Sequence, residues 1–470
     1  MPPALKAELR QRRLAVVLAG GGALGAYEVS VLRVLEALRI RPAILAGVSV
    51  GAINACAWLA HDRRTLPLER VWGTLRGRQL GLRWTSLLLR ALGGLVAAIG
   101  ASEAVLTLAS SQELSAVRLF QRRVSVAADV QAVILDVVAW LLVGLAGFLL
   151  LLTARPADRW VNRALAHLEG PVAYRWLGRG LLAAIVIHLA TLAFAVPWPH
   201  RFSATMILIA LVTWWVGRPG QPGDRARRVW LRLLPETRGR GVWPTAPRQQ
   251  VIEQLVGEGD LQRLVDPDTH LVISACDLQS GRIVHFINWR NPSESFRARV
   301  ADAMGEVVPL QHPPDLLRAA LASSAIPLVY EPVRLFGRDY VDAGAFSNQP
   351  IHVAIADGAD AVLVVLLSPS GGVAPAVHEP NVVELGGRLL ELASWREIQS
   401  ELRALPHEWT RVVDPASGSP ARVCVVEPEA VLPGGLLAFD PQLASQHMTL
   451  GEKDAWAALG RAGWIEPPAA

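Results

Sequence analysis

Ser49 stands in the run Ala46-Gly47-Val48-Ser49-Val50-Gly51-Ala52, which has the spacing G-x-S-x-G. A serine hydroxyl is a weak nucleophile until a base takes its proton, and it must stand clear of the backbone around it. The spacing supplies the second condition. A serine on the corner between a strand and a helix is held in a strained, exposed position, and the flanking Gly47 and Gly51 lack the Cβ atoms that would collide there. The following helix points its first N–H groups at the same spot, where they can hold a developing oxyanion. A second candidate is Gly20-Gly21-Gly22-Ala23-Leu24-Gly25. Consecutive glycines expose backbone N–H groups as a nest that an anion can enter. Gly20, Gly22 and Gly25 also fit G-x-G-x-x-G. A dinucleotide site, however, wants a carboxylate at the end of the next strand, and that strand ends at Ser49. The glycines therefore read as an oxyanion loop.

Positioning these groups takes a β-α-β unit. Leu14 to Ala19 is a continuous apolar run, as a buried parallel strand requires. Ala26 to Leu38 carries Val31, Val34, Leu35 and Leu38 at helical spacing, and Pro42 to Ala46 is the second strand. Further along, Gly241 to Leu264 reads as a turn and a helix. Thr269 to Asp277 and Arg282 to Ile287 read as a hairpin around Ser280-Gly281, and Pro314 to Ala322 as a helix. Asp342 closes a strand and opens a turn. A short helix follows Asn348-Gln349-Pro350, and Ala361 to Leu367 and Arg422 to Glu427 are two more strands. Strands alternating with helices predict an α/β fold, a mostly parallel sheet covered by helices on both faces.

Composition adds something that such a sheet does not need. The 470 residues are 52% hydrophobic and only 19% charged, with a formal net charge of +5. Arginines flank apolar runs and no nucleic-acid motif is visible, so the basic balance points to an anionic membrane face and to no nucleic acid. Cys56, Cys276 and Cys424 are scattered, without a C-x-x-C pair, which speaks against a metal site or disulfide framework and for a reducing compartment. Met1 to Arg13 is polar and basic and does not have the pattern of a secretory signal.

The apolar excess sits in the middle. The expected division is an α/β domain from residues 1–80 and 241–470, interrupted by a membrane-embedded helical insertion over 81–240. Ala132 to Thr153 has Asp136 as its one charge, Leu181 to Trp198 and Phe202 to Gly217 have none, and Leu87 to Leu108 is broken by Arg90 and Glu103. Runs of about 17–22 residues suit a bilayer span. Trp84, Trp160, Trp176, Trp198, Trp214 and Trp215 fall near their ends, as in an interfacial belt. Both halves of the α/β domain must lie on one side of the bilayer, so the crossings are even in number, two or four. Four would put the arginine-rich stretches 155–179 and 218–240 together on the cytoplasmic side, with Arg118, Arg122 and Arg123 outside.

Taken together, the glycine loop, the Gly47-Val48-Ser49-Val50-Gly51 elbow, Ala322-Ser323-Ser324-Ala325-Ile326-Pro327, and Tyr340-Val341-Asp342 followed by Asn348 and Pro350 resemble the patatin-like phospholipase family, in its order. The likeness covers about residues 12–75 and 240–370 and continues more loosely through Gly451 to Ala455. It differs after the aspartate, where the family usually has glycine and this chain has Ala343 before Gly344. The resemblance implies a Ser-Asp dyad of Ser49 and Asp342, oxyanion donors among Gly20, Gly21, Gly22 and Val50, no cofactor, and hydrolysis of phospholipid or other acyl-ester lipids. A carboxylate base near its usual pKa of about 4 is weak for this work, so burial is expected to raise that of Asp342. The expected location is the bacterial inner membrane, with the α/β part in the cytoplasm. Two other readings stand beside this one. The first is a Ser-Asp-His triad completed by His352 or His378; the second is a non-catalytic membrane scaffold that binds lipid. Nothing in the sequence fixes an oligomeric state.

Overall fold

The computed structural model describes residues 4–82, 89, 92–105, 108, 134–151, 243–257, 259–265, 268–327, 329–371, 382–406, 409–413 and 418–466. It divides into two compact units, Met1–Leu82 with Gly239–Ala470, and Arg83–Arg238.

The first unit is built on a nine-stranded sheet. In chain order its elements are β1 (Leu14–Leu18), α1 (Ala26–Ala37), β2 (Ile44–Val48), α2 (Val50–Ala60), α3 (Leu66–Trp72) and α4 (Thr245–Gly257). Then come β3 (His270–Asp277), β4 (Ile283–Ile287), α5 (Glu294–Asp302), β5 (Gly305–Pro309), α6 (Pro313–Ser323), β6 (Val333–Leu335) and β7 (Arg338–Asp342). Last are α7 (Ile351–Ala356), β8 (Ala361–Val365), α8 (Val382–Arg403), β9 (Val423–Val426) and α9 (Pro441–Arg461). The strand order is β5-β4-β3-β2-β1-β8-β9, with β1, β2, β3, β8 and β9 joined in parallel. Strands β1, β2 and β8 are buried at every residue, because both faces are covered. Alternation then sorts their side chains. Leu14, Val16 and Leu18 enter one core with α1, α2, α4, α6 and α9, while Ala15 and Val17 enter the other with α5, α7 and α8. The sequence reading of a mostly parallel sheet with helices on both faces holds.

One detail of register decides where the chemistry sits. Strand β3 pairs in parallel with β2 as far as Val48 opposite Ser274. There β2 ends, and β7 takes its place antiparallel to β3, with Asp342 opposite Ala275. Ser49 and Asp342 therefore arrive at adjacent positions along one strand, from opposite directions.

In the second unit the described residues form two apolar helices, Leu92–Val105 and Ile134–Leu151. Ile134–Leu151 is long and apolar enough to cross a bilayer by length and composition. Leu135, Leu141, Leu142, Leu145 and Leu149 of that helix are exposed. Its glycines are not: a Cβ on Gly147 would lie 2.8 Å from the Gly93 carbonyl oxygen, and one on Gly100 would lie 2.7 Å from that of Trp140. Small residues thus let the two backbones touch while the large apolar side chains face outward. The expected spans at 181–198 and 202–217, the arginine-rich stretches and the six tryptophans lie outside the described residues.

Candidate active site

Ser49 occupies the junction of β2 and α2 at φ 54° and ψ −121°, a region that non-glycine residues rarely enter. The strain is held by neighbours that admit no side chain. A Cβ on Gly47 would lie 2.6 Å from the Ala52 nitrogen, and one on Gly51 would lie 2.5 Å from the Leu18 carbonyl oxygen. The Ser49 N–H donates to Ser323 Oγ at 2.7 Å, and that hydroxyl donates in turn to the Ser274 carbonyl at 2.7 Å. Ser323 thus ties the elbow to the end of α6 and to β3.

Ser49 Oγ donates to Asp342 Oδ2 at 2.5 Å. The second carboxylate oxygen, Oδ1, accepts the Gly344 N–H at 2.7 Å, and the Asp342 N–H donates to the Ala325 carbonyl at 2.9 Å. The turn after Asp342 works with alanine at 343. Ala343 is fully buried and does not have a positive φ. The tight spot is the next residue, Gly344, where a Cβ would lie 3.0 Å from Asp342 Oδ1. Ser49 and Asp342 are both nearly fully buried. Burial raises the Asp342 pKa to about 6, against the lowering effects of the Ser49 hydroxyl, the Gly344 amide and the Arg248 charge.

Asn348 fixes the glycine loop beside this pair. Its Oδ1 accepts the Gly20 N–H at 2.9 Å and its Nδ2 donates to the Gly20 carbonyl at 3.1 Å. The Gly20 N–H also reaches the Asn348 carbonyl at 3.3 Å. This corrects one expectation: the Gly20 amide is occupied and is not available to an oxyanion. The N–H groups of Gly21, Gly22 and Val50 have no hydrogen-bond partner among the described residues. The loop is gripped from outside by a strap that the sequence did not reveal. The Ala23 N–H donates to the Leu436 carbonyl at 2.8 Å, the Gly77 N–H donates to that of Phe439 at 3.3 Å, and Gly434 and Gly435 turn the chain at positive φ.

A cavity opens beside Ser49, with an empty volume of about 590 Å³ including its open mouth. Gly22, Ser49 and Val50 form its polar end; Trp72, Leu75, Leu80, Ile252, Leu255 and Phe439 are among its apolar walls. Trp72 and Phe439 stack with ring centroids 6.2 Å apart. Behind this wall, Asn54 accepts from Trp72 Nε1 at 3.1 Å and donates to the Gly25 carbonyl at 3.0 Å, so the wall and the glycine loop share one brace. His352 is elsewhere: its Nδ1 lies 2.7 Å from Glu401 Oε1, and it bonds to neither Ser49 nor Asp342. His378 lies outside the described residues.

A hydroxyl hydrogen-bonded to a buried carboxylate, next to unpaired N–H groups and an apolar slot, is equipped to transfer a hydrophobic acyl group. The family match points the same way. The family model for patatin-like phospholipase matches residues 16–133 and 138–355. The crystal structure of VipD from Legionella pneumophila is similar at 13% identity and a TM-score of 0.34, covering 96% of this chain and 67% of that one. No curated protein sequence matches.

Proposed function

We propose that this chain, which belongs to the patatin-like phospholipase family, hydrolyses acyl esters of membrane lipids through a Ser49–Asp342 dyad. Membership implies a lipid acyl hydrolase; the residues and the place of action are our reading. The 2.5 Å hydrogen bond from Ser49 Oγ to Asp342 carries it. As Oγ attacks the ester carbonyl carbon, Asp342 takes its proton. The carbonyl oxygen becomes an oxyanion within reach of the free N–H groups of Gly21, Gly22 and Val50. Collapse breaks the ester C–O bond, and Asp342 returns the proton to the leaving alcohol, giving an acyl-Ser49 intermediate. Water then attacks the acyl carbon with Asp342 again as base; the bond to Ser49 Oγ breaks, Asp342 returns the proton to Oγ, and the fatty acid leaves. A pKa of about 6 suits both directions of transfer near neutral pH. The apolar cavity takes the acyl chain, each buried CH₂ contributing about 0.8 kcal/mol.

The insertion supports a membrane setting. A helix of bilayer length that turns leucines outward and glycines toward its neighbour has the packing of a membrane pair, where small residues let backbones approach. On this reading the protein is integral to a bacterial inner membrane, with the hydrolytic unit on the cytoplasmic face and phospholipid as substrate. A triad through His352 is disfavoured by that residue's bond to Glu401, and a non-catalytic scaffold has no use for an intact, strained elbow.

The test is labelling of detergent-purified protein by a fluorophosphonate, with fatty-acid release from a panel of lipid classes. Labelling and release are expected in the wild type and absent in Ser49→Ala. Release that survives Ser49→Ala would overturn the proposal. A reporter fused after residue 470 and active only in the cytoplasm tests the topology.

A further inference from the structure

Arg248 lies in the first turns of α4 and is 3% exposed. A guanidinium seldom goes so deep without an anion, because desolvating the charge is expensive. Among the described residues it makes no salt bridge to a carboxylate. Instead Nη1 donates to the Ser324 carbonyl and Nη2 to the Leu321 carbonyl at 3.1 Å, closing the C-terminal end of α6. Its plane lies over the Tyr330 ring, 4.2 Å from the centroid.

That end of α6 is the segment from which both reacting groups hang. Ser323 Oγ receives the Ser49 N–H, and the Ala325 carbonyl receives the Asp342 N–H. Arg248 also lines the same cavity as Ser49. We propose that Arg248 is a positioning residue for the hydrolytic pair: it pins residues 321–324, the segment that holds the Ser49 and Asp342 backbones, so that the two side chains keep their spacing. The inference rests on the dyad reading above.

The charges around the pair are few. Asp342 is faced by the Ser49 hydroxyl from the start of α2, by the Gly344 amide from its own turn, and by the Arg248 cation from α4. Arg248 is faced by Tyr330 and Asp342. A cation in reach of a carboxylate favours the ionised form. Arg248 thus opposes the burial that pushes the acid up, and it keeps the base usable at lower pH. Helix capping alone would leave the acid's titration untouched.

The experiment uses full-length protein in detergent and two variants. Arg248→Gln removes the charge and keeps donors for one carbonyl; Arg248→Lys keeps the charge and loses the two-pronged grip. The readout is the pH dependence of fluorophosphonate labelling, which reports the base. For Arg248→Gln the acid limb is expected to move up by about 0.5–1 pH unit. For Arg248→Lys the limb is expected to stay, while labelling slows by about tenfold, the equivalent of one charged hydrogen bond. A limb in Arg248→Gln that coincides with the wild type, or an equal shift in both variants, overturns the proposal. If Arg248→Gln does not fold, a moved limb in Arg248→Lys overturns it and a fixed limb with slowed labelling supports it. Ser49→Ala run in parallel separates the two ideas: labelling that persists there sinks the dyad, whatever Arg248 does.

Discussion

Asp342→Asn should abolish hydrolysis and yet make the protein more stable at neutral pH. The carboxyl titrates near 3.8 when unperturbed and at about 6 in the fold, where burial outweighs its hydrogen bonds and the Arg248 charge. A rise of roughly two units corresponds to about 3 kcal/mol. The native state binds this proton more tightly than the unfolded chain. Between about pH 4 and 6 it therefore carries more protons, and stability falls as pH rises. Above the folded pKa the full penalty of an ionised buried acid is in place. Asparagine does not titrate. It can still accept the Gly344 N–H through Oδ1, and its amide can donate to Ser49 Oγ, so both neighbours keep a partner. The stability difference between variant and wild type should be near zero below about pH 4 and approach about 3 kcal/mol above about pH 7, which is several degrees in melting temperature. Thermal melts followed by tryptophan fluorescence in detergent, between pH 4 and 8, give the difference directly. A variant that melts below the wild type at pH 8, or a gap that does not grow with pH, would refute the claim that burial raises this acid.

Other outcomes follow from single contacts. Asn348→Ala removes the side-chain bonds to the Gly20 amide and carbonyl and leaves only the long backbone one, so kcat should fall by about tenfold with KM little changed, as loss of about 1.4 kcal/mol of loop positioning requires; steady-state kinetics on a soluble ester decide it. Gly51→Ala puts a methyl 2.5 Å from the Leu18 carbonyl and 2.8 Å from that of Ala19, backbone that cannot give way, so the variant should fail to yield folded protein. Phe439→Ala removes a ring from the cavity wall and from its stack on Trp72. KM should rise for long-chain esters and stay put for acetyl esters, in a comparison across chain lengths. His352→Ala should keep kcat within about twofold, since its partner is Glu401; a loss of about 10³ would revive the triad.

The elbow and the sheet were legible because the requirement is local. Gly47 and Gly51 are glycine because backbone lies where a side chain would go, and that shows in the spacing alone. The buried parallel strands announced themselves as unbroken apolar runs. Asp342 was legible only through its family setting, since an aspartate at a strand end is as often a turn cap; here it is both, accepting from Gly344 and from Ser49. The glycine loop lies next to the elbow, Gly20 against the Ser49 side chain, but the turning away of the Gly20 amide depends on Asn348, 328 residues distant. Nor could spacing show the replacement of β2 by β7 along β3, or Ser323 Oγ standing between the elbow and Ser274. Arg248 sits in Thr245-Ala246-Pro247-Arg248-Gln249-Gln250, inside the stretch read only as a turn and a helix, and its residue types do not mark it as buried. Its burial is a tertiary fact, as is the strap over the glycine loop.

The segments that flank the second unit in sequence also build the cavity beside Ser49. The chain leaves the hydrolytic unit after Leu82 and is described again from Trp243. On that unit the two roots converge. The Tyr330 hydroxyl donates to the Leu80 carbonyl at 3.3 Å, the Trp243 N–H donates to the Val329 carbonyl at 2.9 Å, and a Cβ on Gly81 would lie 3.2 Å from the Pro247 ring. The residues beside these roots, Leu75 and Leu80 before the insertion and Arg248, Ile252 and Leu255 after it, are also walls of the cavity beside Ser49. The sequence on either side of the second unit thus has two tasks on the first: it holds its own two ends together, and it lines the cavity beside Ser49.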